Sequence, residues 1–302
     1  MMKVGFVGCG EMGEPMAGHV LKAGKFEVWV FDIRKAATKA IARKGAKVAP
    51  SLEELGRICD LFIVMVGYDH QVRQVVSDLA KVGKKGAVIV ITATSHPDMV
   101  LECAKVAGKR GMGVIDAPVC YGLEGARNGT LASLVGGAVK DVKKARPVLA
   151  CYSRAVHHLG ELGAGELGKT LNNMLHWAHC IANYEALLLG KIYGLDAQKL
   201  RETLVQCPAT NGTLARWDGT KFTWQEKDMD IALDLAQKRK LPLPFFGQVD
   251  QMIKWFSADD VAALLYGKAA PYMGKKYSGK PISSPLPKGE VASAEGAKRV
   301  RG

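Results

Sequence analysis

The chain has 302 residues, of which 48% are hydrophobic and 24% charged, and its formal net charge is +13. This composition excludes a wholly disordered or collagen-like chain, and no apolar run reaches the about 18 residues of a membrane span. The seven cysteines are odd in number and form no C-x-x-C pair, so neither a disulfide framework nor a zinc cluster is expected. Because no secretory signal precedes the first apolar run, we expect a cytoplasmic protein.

The first half alternates short apolar runs with amphipathic stretches, which is the pattern of βαβ units. Five runs are predicted to be strands of a doubly wound, Rossmann-type parallel sheet, at residues 3–7, 27–31, 61–66, 87–91 and 113–116. Two further runs, at 132–135 and 156–159, are predicted to form a hairpin. The α/β dinucleotide-binding domain is therefore expected to cover residues 1–163.

The periodicity of the apolar residues changes after Gly165. From Leu167 to Tyr193 they recur at intervals of three and four, which predicts one long interdomain helix over 164–193. Helical patterns at 196–205, 226–238, 246–254 and 259–266 then predict an all-α domain for substrate binding and dimerisation at 194–279. The expected subunit assembly is a homodimer or homotetramer.

Much of the positive charge lies near the C-terminus. From Lys268 onward eight Lys and Arg stand against two Glu, in a stretch rich in Pro, Ser and Gly. Residues 280–302 are therefore predicted to be a basic tail without fixed structure. The tail leaves open a non-catalytic protein that binds a partner or nucleic acid, although nucleic acid is not the favoured ligand.

A glycine-rich turn follows the first predicted strand. Gly8-x-Gly10-x-x-Gly13 opens a helix, and such glycines allow a tight turn, close approach of a pyrophosphate and close helix packing. Asp32 ends the next strand, where an acid accepts hydrogen bonds from a ribose. It favours NAD, while Arg34 leaves NADP possible.

Four segments in chain order resemble motifs of the β-hydroxyacid dehydrogenase family, which includes 3-hydroxyisobutyrate dehydrogenase and tartronate semialdehyde reductase. They are GCGEMGEPMA at 8–17, DAPVCYG with GARNGTL at 116–131, GAGELGKTLNN at 163–173 and KDM at 227–229. The resemblance implies an oxidoreductase that transfers hydride between NAD and the hydroxyl carbon of a small β-hydroxy acid or its semialdehyde.

The same resemblance implies roles for individual residues. Lys169 is expected to be the general acid and base, and Asn173, four residues later on the same helix face, to hold substrate. The other cofactor-binding residues implied are Glu11, Met12, Val66, Gly67, Thr94 and Lys227. The other substrate-binding residues implied are Cys120, Tyr121, Gly122 and His176.

One departure from the family pattern leaves the identity of the substrate open. Cys120 and Tyr121 stand where the family has Ser-Gly, so an unusual or bulkier hydroxy acid is possible.

An NADPH-dependent aldehyde or imine reductase is the second hypothesis, which the presence of Lys169 disfavours. His176 and His179 have metal-ligand spacing, but no carboxylate lies nearby at such spacing, so no metal is predicted.

Overall fold

The computed structural model describes residues 1–280, which form two compact units. The first unit ends at Asn172 and the second begins at Asn173, so the division falls within one long helix. Within the described residues, no helix is long and apolar enough to cross a membrane. The predicted basic tail lies outside the described residues, apart from Lys280.

The N-terminal unit is built on one large sheet. Its strands are β1 (Met2–Val7), β2 (Phe26–Phe31), β3 (Lys47–Val48), β4 (Leu61–Val64), β5 (Val88–Ile91), β6 (Gly113–Asp116), β7 (Val119–Cys120), β8 (Leu131–Gly136) and β9 (Ser153–Gly160). Their order is β3-β2-β1-β4-β5-β6-β8-β7, and β9 also pairs with β8. The strands from β3 to β6 are parallel, which confirms the predicted Rossmann-type architecture.

Helices cover both faces of this sheet. They are α1 (Gly13–Lys22), α2 (Lys39–Arg43), α3 (Leu52–Ile58), α4 (Asp69–Val82), α5 (Pro97–Gly108), α6 (Gly122–Asn128) and α7 (Val139–Leu149). In β4, Leu61 and Ile63 belong to one core cluster, while Phe62 and Val64 belong to the other. Because both faces are buried, the central strands are continuously apolar rather than alternating.

The structure corrects two details of the predicted sheet. The runs at 132–135 and 156–159 do not form a hairpin, because β8 and β9 are parallel and α7 connects them. Val142, Ala145 and Val148 bury one face of this crossover helix, at the spacing of three that a helix requires. Strand β4 ends at Val64, so Val66 and Gly67 lie in the following loop rather than at a strand end.

The C-terminal unit is helical with one small hairpin. Its elements are α8 (Ala164–Ile192), which begins in the N-terminal unit, α9 (Ala197–Leu204), α10 (Gly212–Ala215), α11 (Gln225–Lys238), α12 (Pro244–Ile253), α13 (Asp260–Tyr266), β10 (Ala269–Tyr272) and β11 (Lys275–Ser278). A short 3-10 turn covers Trp217–Gly219. Trp217 and Tyr184 are completely buried in the core of the C-terminal unit. The predicted helices are confirmed, and the hairpin is an addition that the helical pattern did not indicate.

Candidate active site

The glycine-rich turn joins β1 to α1 and requires glycine at two positions. Gly8 has φ +93°, and a Cβ there would lie 2.1 Å from the carbonyl oxygen of Met65. A Cβ on Gly13 would lie 2.0 Å from the carbonyl oxygen of Gly8. At Gly10 a Cβ would have only the Arg34 Nη2 within 4 Å, at 3.7 Å, so this stretch of backbone is accessible to a ligand.

Asp32 holds this turn against the end of β2. Its Oδ2 accepts a hydrogen bond of 2.8 Å from the Cys9 N–H, and its Oδ1 accepts one of 2.8 Å from the Arg34 N–H. The Arg34 Nε lies 3.8 Å from the same Oδ1. A carboxylate oxygen accepts more than one hydrogen bond, so Asp32 can also accept from a ribose hydroxyl. The turn, the open backbone at Gly10 and the N-terminus of α1 together fit a dinucleotide.

Lys169 lies in the second turn of α8, next to the segment predicted to bind substrate. Its Nζ is 3.9 Å from the Sγ of Cys120, at the end of β7, and both residues are half-buried. The fold therefore brings together an amine and the Cys120–Gly122 segment, which are far apart in the chain. An amine at such a place can hold a substrate oxygen and exchange a proton with it.

Two buried acids lie at the N-terminal end of α8, and sequence reasoning gave neither of them a role. Asp116, at the end of β6, accepts hydrogen bonds from the N–H groups of Gly163 at 2.8 Å and Glu166 at 2.7 Å. Both carboxyls are completely buried, and burial raises the pKa of Asp116 and raises that of Glu166 well above its ordinary value. Asp116 thus supplies acceptors for the N–H groups that a helix start leaves unpaired.

Glu166 connects α8 to the loop after β5. Its Oε2 accepts a hydrogen bond of 3.0 Å from the Ser95 N–H, and its Oε1 has no partner among the described residues. Thr94, predicted to contact the cofactor, is the neighbour of Ser95 and is half-buried. The only sequence signal for Glu166 was its place inside the GAGELGK segment, three residues before Lys169.

Tyr121 has the left-handed backbone conformation, with φ +84°. Arg154, a residue that sequence reasoning missed, stacks its guanidinium on the Tyr121 ring with Cζ 4.1 Å from the ring centre. Its Nη2 donates a hydrogen bond to the Tyr121 hydroxyl. Gly122 also has positive φ, of +55°, and is exposed at the start of α6.

The remaining predicted residues have these surroundings. Glu11 is exposed in the glycine-rich turn, and Met12 packs against the sheet core. In the loop after β4, Val66 is half-buried, and the Gly67 N–H donates to the Gln71 Oε1 at 3.0 Å.

The predicted residues of the C-terminal unit are held within that unit. Asn173 is buried on α8, and the His176 Nδ1 is 3.0 Å from the Thr213 Oγ1. Lys227 lies in the first turn of α11, with its Nζ 5.8 Å from the centre of the Trp224 ring. Its neighbour Asp228 is buried. The roles of these residues toward substrate and cofactor stay predictions.

Two family models match consecutive parts of the chain. Residues 3–160 match the family described as the NAD binding domain of 6-phosphogluconate dehydrogenase. Residues 163–264 match the family described as NAD-binding of NADP-dependent 3-hydroxyisobutyrate dehydrogenase. The matches therefore reach from β1 to within α13.

Similar proteins cover most of the chain. A 2-(hydroxymethyl)glutarate dehydrogenase of Eubacterium barkeri is 30% identical over 84% of this chain and 88% of that protein. A 3-hydroxyisobutyrate dehydrogenase of Pseudomonas aeruginosa is 36% identical over 81% of this chain and 88% of that protein. The solved structure of the Mycobacterium tuberculosis 3-hydroxyisobutyrate dehydrogenase with L-serine is 28% identical, with a TM-score of 0.78 over 88% of this chain and 98% of that one.

Proposed function

This chain belongs to the β-hydroxyacid dehydrogenase family, and we propose that its Lys169 moves the hydroxyl proton while hydride passes between NAD and a small β-hydroxy acid or its semialdehyde. The enzyme is an NAD(P)-dependent oxidoreductase that acts on a CH–OH group. The dehydrogenases among its relatives disfavour both alternatives, the imine reductase and the non-catalytic binding protein.

The N-terminal unit supplies the residues that would hold the cofactor. The N–H groups at the start of α1 would bind the pyrophosphate beside Gly10, and Asp32 would accept from the adenosine ribose. When bound, the nicotinamide accepts or donates the hydride. A buried carboxylate at the ribose position repels a 2′-phosphate, which supports NAD over NADP. We therefore expect NADH to bind more tightly than NADPH in a fluorescence titration, and the reverse order would contradict this choice.

Lys169 would handle the proton at the substrate oxygen. During oxidation its neutral amine accepts the hydroxyl proton, and during reduction its ammonium form donates that proton to the carbonyl oxygen. The observation that supports this proposal is the 3.9 Å separation between the Lys169 Nζ and the Sγ of Cys120, a residue of the segment predicted to bind substrate. Asn173, one helical turn later, would orient the substrate through its amide.

Two substitutions distinguish the contribution of the positive charge of Lys169 from the contribution of its proton transfer. Lys169→Ala removes both, whereas Lys169→Arg keeps a cation that does not deprotonate in proteins. Both variants should lower kcat by about 10²–10⁴-fold, the contribution of a general acid or base, while Lys169→Arg should raise KM less than Lys169→Ala. The measurement is NADH absorbance with a panel of 3-hydroxy acids. Unchanged kcat in Lys169→Arg would show that another group moves the proton.

An apolar stripe on α8 supports self-association as a second proposal. Leu167, Leu171, Leu175 and Leu189 lie within one face of the helix and are each 45–58% exposed. Exposed leucines at helical spacing favour burial against another apolar surface, and we propose a second copy of this chain. Leu189→Glu should dissociate the assembly in sedimentation velocity, whereas Leu101→Glu on α5 should not. A monomeric unaltered protein would refute the proposal.

The redox state of the cysteines indicates the kind of cellular compartment that suits the protein. All seven are free thiols, and three of them are only half-buried. Free thiols persist in a reducing environment. This supports the cytoplasm, which we propose as the location.

A further inference from the structure

Arg154 is an exposed cation beside the substrate segment, and the hydride transfer proposed above gives it no part. Leu131 of β8 is opposite Ser153 of β9, and the next residue, Ala132, is opposite Ala155. Arg154 is therefore opposite no residue of β8. Such a bulge redirects a side chain and is common next to active sites. We therefore attribute the direction of the Arg154 side chain to this irregularity of β9.

The redirected side chain reaches Tyr121. Its guanidinium lies over the Tyr121 ring at 4.1 Å and donates a hydrogen bond to the hydroxyl. Pairing across the sheet agrees with this contact, because Cys120 is opposite Ala132 and Ala132 is opposite Ala155. Neighbouring strands are about 4.8 Å apart, so this row spans about 10 Å. Arg154 and Cys120, which contacts Lys169, are thus close together on the same part of the sheet.

Tyr121 has a backbone conformation that L-residues avoid, since Cβ approaches the following carbonyl oxygen. Only three described non-glycine residues have positive φ, and Tyr121 has the largest value, +84°. Strained residues persist where their surroundings hold them. Here the ring packs against the sheet core and the guanidinium, so Tyr121 and Arg154 restrain each other.

Arg154 keeps unused hydrogen-bonding capacity. A guanidinium has five N–H donors in a fixed plane, which suits a carboxylate, and the Tyr121 hydroxyl uses only one of them. Within residues 1–280, no ion pair includes Arg154 or Lys169. Neither side chain therefore has a carboxylate of the described residues at ion-pair distance, although the charge of Lys169 acts on the buried Glu166 carboxyl.

The two cations are suited to different parts of one substrate. The carboxylate of a β-hydroxy acid lies within two carbon atoms of its hydroxyl carbon, so it would remain near Lys169 and Cys120. The guanidinium instead lies on the ring of Tyr121, one residue beyond Cys120 in the chain. Arg154 would therefore meet a group further along the substrate, and the group that suits it is an anion.

We propose that the preferred substrate is a hydroxy acid with a second carboxylate, which Arg154 binds. Tyr121 is a positioning residue that holds the guanidinium toward the substrate. This inference rests on the proposed function, because it names the substrate class of the same site. It explains why a tyrosine occupies a backbone position that favours glycine.

The test compares two substrates that differ in one charge. One is a 3-hydroxy acid whose side chain ends in a carboxylate, and the other ends in the nearly isosteric carboxamide. The unaltered enzyme should have at least about tenfold higher kcat/KM for the dicarboxylate, the contribution of one charge-assisted hydrogen bond. Arg154→Met should bring this ratio close to one, mainly through KM, and Tyr121→Phe should lower it in part. Lys143→Met, which removes an exposed cation from α7, should leave the ratio unchanged.

Titration calorimetry with the dicarboxylate separates the possible failures. If both substrates react equally well, or if the ratio survives in Arg154→Met, the proposed function stands and this inference is wrong. If neither substrate reacts but the dicarboxylate binds the unaltered enzyme and not Arg154→Met, the anion site stands and the proposed reaction fails. If the dicarboxylate neither reacts nor binds, the inference is overturned.

Discussion

Replacing Glu166 by Gln tests whether the acid next to the proposed catalytic lysine carries a charge. Glu166 is completely buried, and the charges that act on it belong to Asp116, Lys169 and Asp69. Burial is the largest effect and raises its pKa well above 4.5, and Asp116 adds to the rise while Lys169 opposes it. We therefore expect the native carboxyl to keep its proton at a pH where the unfolded chain has lost it. Gln has almost the same shape and no charge at any pH.

The sign of the stability change follows from the raised pKa. Native Glu166 contributes fully to stability below 4.5, its ordinary pKa, and this contribution is lost as the pH rises toward the native value. In that interval the unaltered protein should lose about 1.4 kcal/mol per pH unit relative to Glu166→Gln. The variant should therefore become the more stable protein with increasing pH, and the two should be similarly stable near pH 4.

Hydrogen exchange of the β5 and β6 amides, measured by mass spectrometry at pH 5, 6 and 7, gives the opening free energy of this unit. Glu161→Gln is the matched control, since that carboxyl is exposed in the loop before α8 and should show no pH-dependent difference. A constant difference between Glu166→Gln and the unaltered protein over this range would refute the reasoning. Glu166 would then be ionised in the native state, as a partner for the Lys169 ammonium.

Three further substitutions test separate parts of the structure. Gly13→Ala places a Cβ 2.0 Å from the Gly8 carbonyl oxygen, so NADH binding measured by fluorescence should weaken at least about tenfold. Asp32→Ala removes the acceptor for two backbone N–H groups and should also raise the NADH Kd at least about tenfold. Trp177→Phe removes the indole donor that lies 3.0 Å from the buried Asp228 carboxylate. It should destabilise the C-terminal unit by about 1–3 kcal/mol in urea unfolding, and normal stability would show that this bond contributes little.

The central sheet and the long helix were predictable because their signals are local. A strand buried on both faces must be apolar throughout, as in β4, and a helix with a buried face repeats at three and four residues, as in α8. The hairpin prediction for 132–135 and 156–159 was wrong because strand direction depends on the connection. Pro147 obscured the helical pattern of α7, which makes the connection a crossover.

The candidate site was predictable only where a motif carries the signal. The glycines of the turn and Asp32 are tied to local backbone geometry and spacing, so their part in one site could be inferred. Arg154 belongs to no motif, and its contact with Tyr121 depends on an irregular register between two strands. Register depends on the packing of whole strands rather than on any single residue.

The amino-acid sequence alone indicated dinucleotide binding, because a glycine turn and an acid after the second strand each need only a few neighbouring residues, and the class of chemistry came from the resemblance of four segments to the family. Only the tertiary structure decided which distant groups surround Lys169. Cys120, Asp116 and Ser95 reach α8 through the order of the strands, and Arg154 reaches Tyr121 through a bulge. Burial also decided the charge expected on Glu166, since removal from water by the surrounding protein is the largest effect on its pKa.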